Sequence, residues 1–231
     1  PRDVQRSQAG QSGDDKQRDL QQAIAEHYAQ LFAKAEALRD ELGAPVPIIG
    51  TGHLTTVGVS LTESVREIYV GTLTAFPTDA FPAFDYLALG HIHRPQKVAG
   101  HEHMRYSGSP IALSFDEGRQ QKELLCVDFN PQGLESVTAL KIPCFQRLIS
   151  LSGNLDELKQ QFAELADELD ESAVAWLEIQ VRGDDYYNDL EARVTKLCAD
   201  LPVEVLRVRR LRGNKVAGLS AETGEVLAEL T

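Results

Sequence analysis

Basic charge is scarce in this sequence: 23 lysines and arginines face 35 aspartates and glutamates, for a net charge of −12. That balance excludes a protein coated in positive charge and leaves room only for a local basic patch. Cysteine is scarce too, with Cys126, Cys144 and Cys198 alone and no Cys-x-x-Cys spacing. An odd count without paired spacing excludes a disulfide framework and suits reduced thiols, so a cytoplasmic location is expected. Long hydrophobic runs are missing. The longest, 46–50 and 86–90, are far too short for a membrane span, and no membrane partner is expected. The chain opens on Pro1 with neither a methionine nor a leader pattern, which suggests a piece of a longer protein.

What is present is ordinary globular material. Hydrophobic residues make up 42% and charged residues 25% of 231, enough for one large domain or a medium and a small one. Residues 1–15 are polar and read as a loop. Leu20, Ile24, Tyr28, Leu31, Ala35, Leu38 and Leu42 then recur at helical spacing, predicting a helix over 16–42. Asp14 or Asp15 would cap it, and Gly43 and Pro45 would end it. Strands are expected at 46–50 and 85–89, with a helix starting at Ser60, where Ser60-x-x-Glu63 has capping-box form. Antiparallel strands are expected near 95–99, 103–107 and 122–129, with turns at Gly100 and over 130–133. From about 143 the pattern becomes strand 145–151, a helix capped by Asn154, strand 174–181, a helix from Asp184 or Asp185 with Tyr187 inward, and strand 203–208. The expected class is mixed α/β, in three parts: 1–142, a small βαβαβ unit over 143–212, and an exit segment over 213–231.

The histidines carry the chemistry. His53 and His91 each follow an apolar strand and a glycine that would let the backbone turn and aim the imidazole out of the strand end. His93 lies two residues further on. Neutral imidazole is a common ligand of first-row divalent metals, so the three are a candidate metal site. Gly100-His101-Glu102-His103 repeats the letters without a preceding apolar strand and reads as a turn. His27 sits off the main apolar stripe of its helix and reads as solvated.

Gly52-His53-Leu54-Thr55, Leu89-Gly90-His91-Ile92-His93 and Tyr106-Ser107-Gly108-Ser109-Pro110, in this order and spacing, resemble the later motifs of calcineurin-like metallophosphoesterases. Thr51 to Gly58 and Gly108 to Glu117 are similar, more narrowly, to the SbcD family of bacterial exonuclease subunits, and the likeness extends over the whole chain. The resemblance implies a β-sandwich flanked by helices, with the βαβαβ unit as a capping domain. It also implies two Mn²⁺ ions and metal-dependent hydrolysis of DNA phosphodiesters in DNA repair and recombination. His53 and His91 would ligate one ion and His93 the other, while Tyr106, Gly108 and Ser109 would shape the floor of the site. The partners implied are DNA, an SbcC-like ATPase subunit and a second copy in a homodimer.

The family's earlier motifs, which carry its aspartates, its asparagine and the histidine of the general acid, are absent from these 231 residues, as is its partner-binding C-terminal segment. The expectation is therefore a sandwich cut at both ends that holds metal weakly and cleaves nothing alone, since hard cations prefer oxygen donors. Arg207, Arg209, Arg210, Arg212 and Lys215 crowd five basic residues into nine positions. They read either as a phosphate-binding strip or as charges that protect a strand edge. Two other readings stay open: a phosphoesterase acting on a small nucleotide, and a non-catalytic DNA or protein interaction module.

Overall fold

Ser12, rather than Asp14 or Asp15, caps the first helix, α1 (Gly13–Leu42), by accepting the Asp15 N–H at 3.1 Å. Both aspartates fall in the first turn, where negative charge meets the positive end of the helix dipole. Gly43, at φ +60°, closes the other end. The computed structural model describes residues 12–59, 75–169, 173–182 and 189–211, and the chain divides into two units, Pro1–Phe145 and Gln146–Thr231. The helix expected from Ser60, the start expected at Asp184 or Asp185 with Tyr187 inward, and the exit segment 213–231 lie outside the described residues.

In the first unit, the first strand starts three residues later than predicted. It runs as β1 (Ile49–His53), so His53 is its last residue rather than the residue beyond it. Pro47 has no N–H to give a ladder, and the Ile48 N–H is taken by the Asp85 carboxylate at 2.7 Å, so pairing begins at Ile49. β2 (Tyr86–Gly90) pairs in parallel with β1 and with β4 (His101–Tyr106), while β3 (Gln96–Val98) closes the sheet antiparallel to β4, in the order β1-β2-β4-β3. Of the antiparallel strands expected here, those near 95–99 and 103–107 pair with each other as β3 and β4, and the one near 122–129 lies outside this sheet. Ala99 and Gly100 make the turn, at φ +49° and +80°, and His101 to His103 belong to β4, not to a turn.

The sheet buries one face under α1. Ile24, Ala25, Tyr28, Phe32 and Ala35 pack over Phe76, Phe81, Phe84, Leu87 and Leu89. The helical stripe is therefore rotated from the expected one, and Leu31, Leu38 and Leu42 are exposed. A large aromatic, Phe32, fills the space against Phe84 (centroids 5.1 Å apart, edge to face) and turns the helix toward itself. Gly50 lies under this packing, and a Cβ there would stand 2.9 Å from both Leu87 and Phe84.

β5 (Glu123–Asn130) forms an antiparallel hairpin with β6 (Gly133–Lys141) through the predicted turn. β6 was not legible in the sequence, because most of its side chains stay accessible and show no clean alternation. Between the hairpin and the main sheet, Ile49, Ala88, Leu125, Val127 and Phe129 line a hollow of about 290 Å³.

The second unit is β7 (Leu148–Gly153), α2 (Leu155–Ala166), β8 (Ala175–Arg182), α3 (Leu190–Leu197) and β9 (Val203–Leu211). Asn154 and Glu157 cap α2 reciprocally, each side chain bonding the other's backbone N–H at 2.9 Å. The three strands are parallel, in the order β7-β8-β9. Leu158, Phe162 and Leu165 of α2 join Val194 of α3 and the adjacent Cys198 over Leu177, Ile179 and Val181 of β8. Both helices therefore cover one face of the sheet. Two right-handed crossovers advancing in one direction produce this arrangement. Among the described residues no helix is long and apolar enough to cross a membrane.

Candidate metal and phosphate site

β1 and β2 run side by side in parallel, so their C-terminal ends deliver His53 and His91 to the same edge of the sheet. Their rings stand edge to face with centroids 5.4 Å apart. The glycines work differently from the expected way. His53 pairs in register with Gly90, and its Nδ1 would lie 3.0 Å from a Cβ at that position, so Gly90 makes room for the ring. The turn is taken by His91 itself, at φ +94°, a conformation an L-residue holds only when its surroundings enforce it. His91 is buried, and charge on either His53 or His93 would be felt at its ring.

His93 is held by a buried polar network. Its Nδ1 is 3.1 Å from Oε1 of Glu117, a side chain that is wholly enclosed. Oε2 of Glu117 accepts from Lys122 Nζ at 2.7 Å and from the Leu113 N–H at 3.1 Å. Lys122, itself buried, also donates to the His93 carbonyl at 3.1 Å and to Ser109 Oγ at 3.0 Å. The Ser109 N–H donates to the same carbonyl at 3.1 Å. Gly108 adopts φ +82° where its backbone passes His93, and a Cβ there would meet the His93 carbonyl oxygen at 2.7 Å. Tyr106 is fully buried: its hydroxyl donates to the Leu54 carbonyl at 2.7 Å and accepts the Thr56 N–H at 3.1 Å, tying β4 to the turn that follows His53. Tyr106, Gly108 and Ser109 thus hold the two histidine-bearing segments in place.

The donors suit the nitrogen side of a transition-metal site, because burial favours the neutral, ligating form of His91. Oxygen donors do not complete it: among the described residues no three His, Cys, Asp or Glu side chains are placed to hold one ion. The three imidazoles fit part of a ligand set.

Burial first, and then charge on His53 and His93, holds His91 below the ordinary imidazole range; burial and His101 do the same to His103. The unfolded chain therefore takes up protons that the folded chain resists. Stability is greatest above about pH 6.5 and falls on acidification until the folded-state values are passed. His91→Asn, which tolerates positive φ, is expected to flatten part of that fall in urea-unfolding free energies measured across this range. An unchanged slope would count against a strained, proton-resisting His91.

The basic strip divides. Arg207 and Arg209 sit in register with Glu178 and Gln180, and both reach the Glu178 carboxylate, at 2.9 and 3.5 Å. Arg210 pairs in register with Val181 and so belongs to the face that carries α2 and α3. Arg212 and Lys215 lie outside the described residues. Sequence reasoning missed Glu117, Lys122 and Glu178. Glu178 had a signal, a lone acid in the apolar run Trp176-Leu177-Glu178-Ile179, whereas Lys122 had none.

A family model described as the type 5 capsule protein repressor C-terminal domain, SbcD_C, matches residues 144–231. The SbcD subunit of nuclease SbcCD from Escherichia coli strain K12 is 46% identical over 231 residues, all of this chain and 57% of that relative. Its counterpart in Bacillus subtilis strain 168, which carries the same name, is 28% identical over 162 residues, 69% of this chain and 41% of its own. The counterpart from Staphylococcus epidermidis is 30% identical over 110 residues, 48% of this chain and 29% of its own. The chain thus spans 57% of the length of its Escherichia coli relative. Every residue of the chain lies inside the alignment to that Escherichia coli relative, and residues 144–231 match the SbcD_C family model.

Proposed function

We propose that this chain is the part of a metal-dependent DNA nuclease subunit that supplies imidazole donors to a two-ion centre. The observation that carries the reading is the pair His53 and His91, with rings 5.4 Å apart at one end of parallel strands and His93 two residues further on. In this reading His53 and His91 hold one Mn²⁺ and His93 the other, with oxygen donors coming from elsewhere in the complete protein. Paired cations stabilise both the attacking and the leaving oxygen of a phosphodiester. This chain's own residues orient the imidazoles: Gly90 admits the His53 ring, and Lys122 and Ser109 hold the His93 carbonyl.

The complete subunit would act on DNA in repair and recombination, in the cytoplasm, as a homodimer with an SbcC-like ATPase. Whole-chain similarity to the SbcD subunit of an SbcCD nuclease supports this over a small-nucleotide phosphoesterase or a non-catalytic module. Arg207 and Arg209 are exposed enough to meet phosphates on the second unit.

The test is Mn²⁺-dependent cleavage of double-stranded DNA ends by the complete subunit with its ATPase partner. His91→Ala is expected to lower the rate by more than about 100-fold, beyond the usual cost of losing a residue that only supports a ligand. Unchanged cleavage in a folded His91→Ala protein would refute the assignment.

A further inference from the structure

A carboxylate with no exposure to solvent, bonded to one ring nitrogen of a histidine, determines which nitrogen of that ring keeps its lone pair. Glu117 is such a carboxylate: Oε1 faces His93 Nδ1 at 3.1 Å, and Oε2 receives Lys122 Nζ at 2.7 Å and the Leu113 N–H at 3.1 Å. With Lys122, Leu113 and Ser109 all donating to Oε2, and the Lys122 ammonium keeping the carboxylate ionised, the group presents an acceptor to the imidazole, so Nδ1 donates. We propose that Glu117 is a positioning residue for His93, fixing its proton on Nδ1 and leaving the Nε2 lone pair for a cation. Lys122 is the third member, because it balances Glu117 and at the same time grips the His93 backbone carbonyl at 3.1 Å. Orientation and tautomer are thus set by one buried cluster. The inference rests on the reading of His93 as a metal donor, and it adds the residues that make it one. A carboxylate or carbonyl on the far nitrogen of a metal-binding histidine is a general device of this kind.

The substitution Glu117→Gln changes the atoms least and the prediction most. The amide oxygen must turn toward Lys122 and Leu113, since an NH₂ there would face the ammonium and the Leu113 N–H, which only donate. The NH₂ then faces His93 Nδ1, which becomes an acceptor, and the proton moves to Nε2.

The experiment is nitrogen-15 NMR of histidine-labelled complete subunit without metal, paired with Mn²⁺ titration. Wild type is expected to show His93 protonated on Nδ1, and Glu117→Gln to show it protonated on Nε2, with Mn²⁺ affinity reduced about 10–100-fold. A wild-type His93 protonated on Nε2 overturns the proposal, and this arm needs no variant, so it decides even if Glu117→Gln fails to fold. A folded Glu117→Gln protein with an unchanged tautomer also overturns it, as does a switched tautomer with unchanged Mn²⁺ affinity. Cleavage retained in His91→Ala would instead strike the nuclease reading while leaving the His93 tautomer as predicted, so the two failures are distinct.

Discussion

Lys122→Met is expected to destabilise the first unit by about 3–5 kcal/mol, the usual cost of stranding a charge inside a protein. Lys122 and Glu117 are both buried and 2.7 Å apart, so removing the cation leaves the carboxylate with neutral donors only. It also frees the His93 carbonyl and Ser109 Oγ from the ammonium that binds them. Urea unfolding followed by far-ultraviolet circular dichroism would show the first unit's transition moving to lower denaturant. The fluorescence midpoint of the chain's single tryptophan, Trp176, should stay in place, because it lies in the other unit and domains unfold as units. The double variant Glu117→Gln with Lys122→Met should recover much of the loss, since it removes both charges. A single-variant cost below about 1 kcal/mol would mean the pair is screened as a surface pair is.

Phe162→Ala is expected to cost the second unit a similar amount, about 3–5 kcal/mol, by a different route. Phe162 is 2% exposed and sits between Leu158 and Leu165 over β8. Truncating the ring removes apolar burial and leaves a cavity between α2 and the sheet that its leucine and isoleucine neighbours fill only in part. Trp176 lies on β8 on the face away from the helices and reports the loss directly. Its unfolding midpoint should fall steeply in Phe162→Ala and hardly at all in Gln160→Ala, a change on the exposed side of α2. Equal shifts in the two variants would mean that α2 is not packed as described.

The second unit was the more legible part of the chain, and the reason is local. Asn154 with Glu157, the spacing of Leu158, Phe162 and Leu165, and the apolar run around Leu177 and Ile179 each declare an element within a few residues. Gly43 did the same for the end of α1. What escaped was set by contacts between distant residues. The start of β1 depended on Asp85 capturing the Ile48 N–H, 37 positions away. The facing stripe of α1 depended on Phe32 meeting Phe84, and no helical wheel contains Phe84. At the site, the three histidines could be read from their order along the chain, but the cluster that holds His93 could not. Glu117 is 24 residues from His93, and Lys122 lies 29 from the carbonyl it binds. A spacing rule sees none of these pairs.

Glu178 bears on the electrostatics of the strand beside it. Arg207 and Arg209 converge on this one buried carboxylate, so the three side chains together carry a single positive charge rather than two. A polyanion docking there would displace about one condensed counterion instead of two, since each neutralised phosphate of a duplex contributes about 0.9 to the slope of log affinity against log salt. Glu178→Gln should therefore steepen the salt dependence of any such contact while leaving both guanidinium groups in place. The buried acid would lower any non-specific hold of the strip on a phosphate backbone, and with it the ionic-strength range over which such a hold persists.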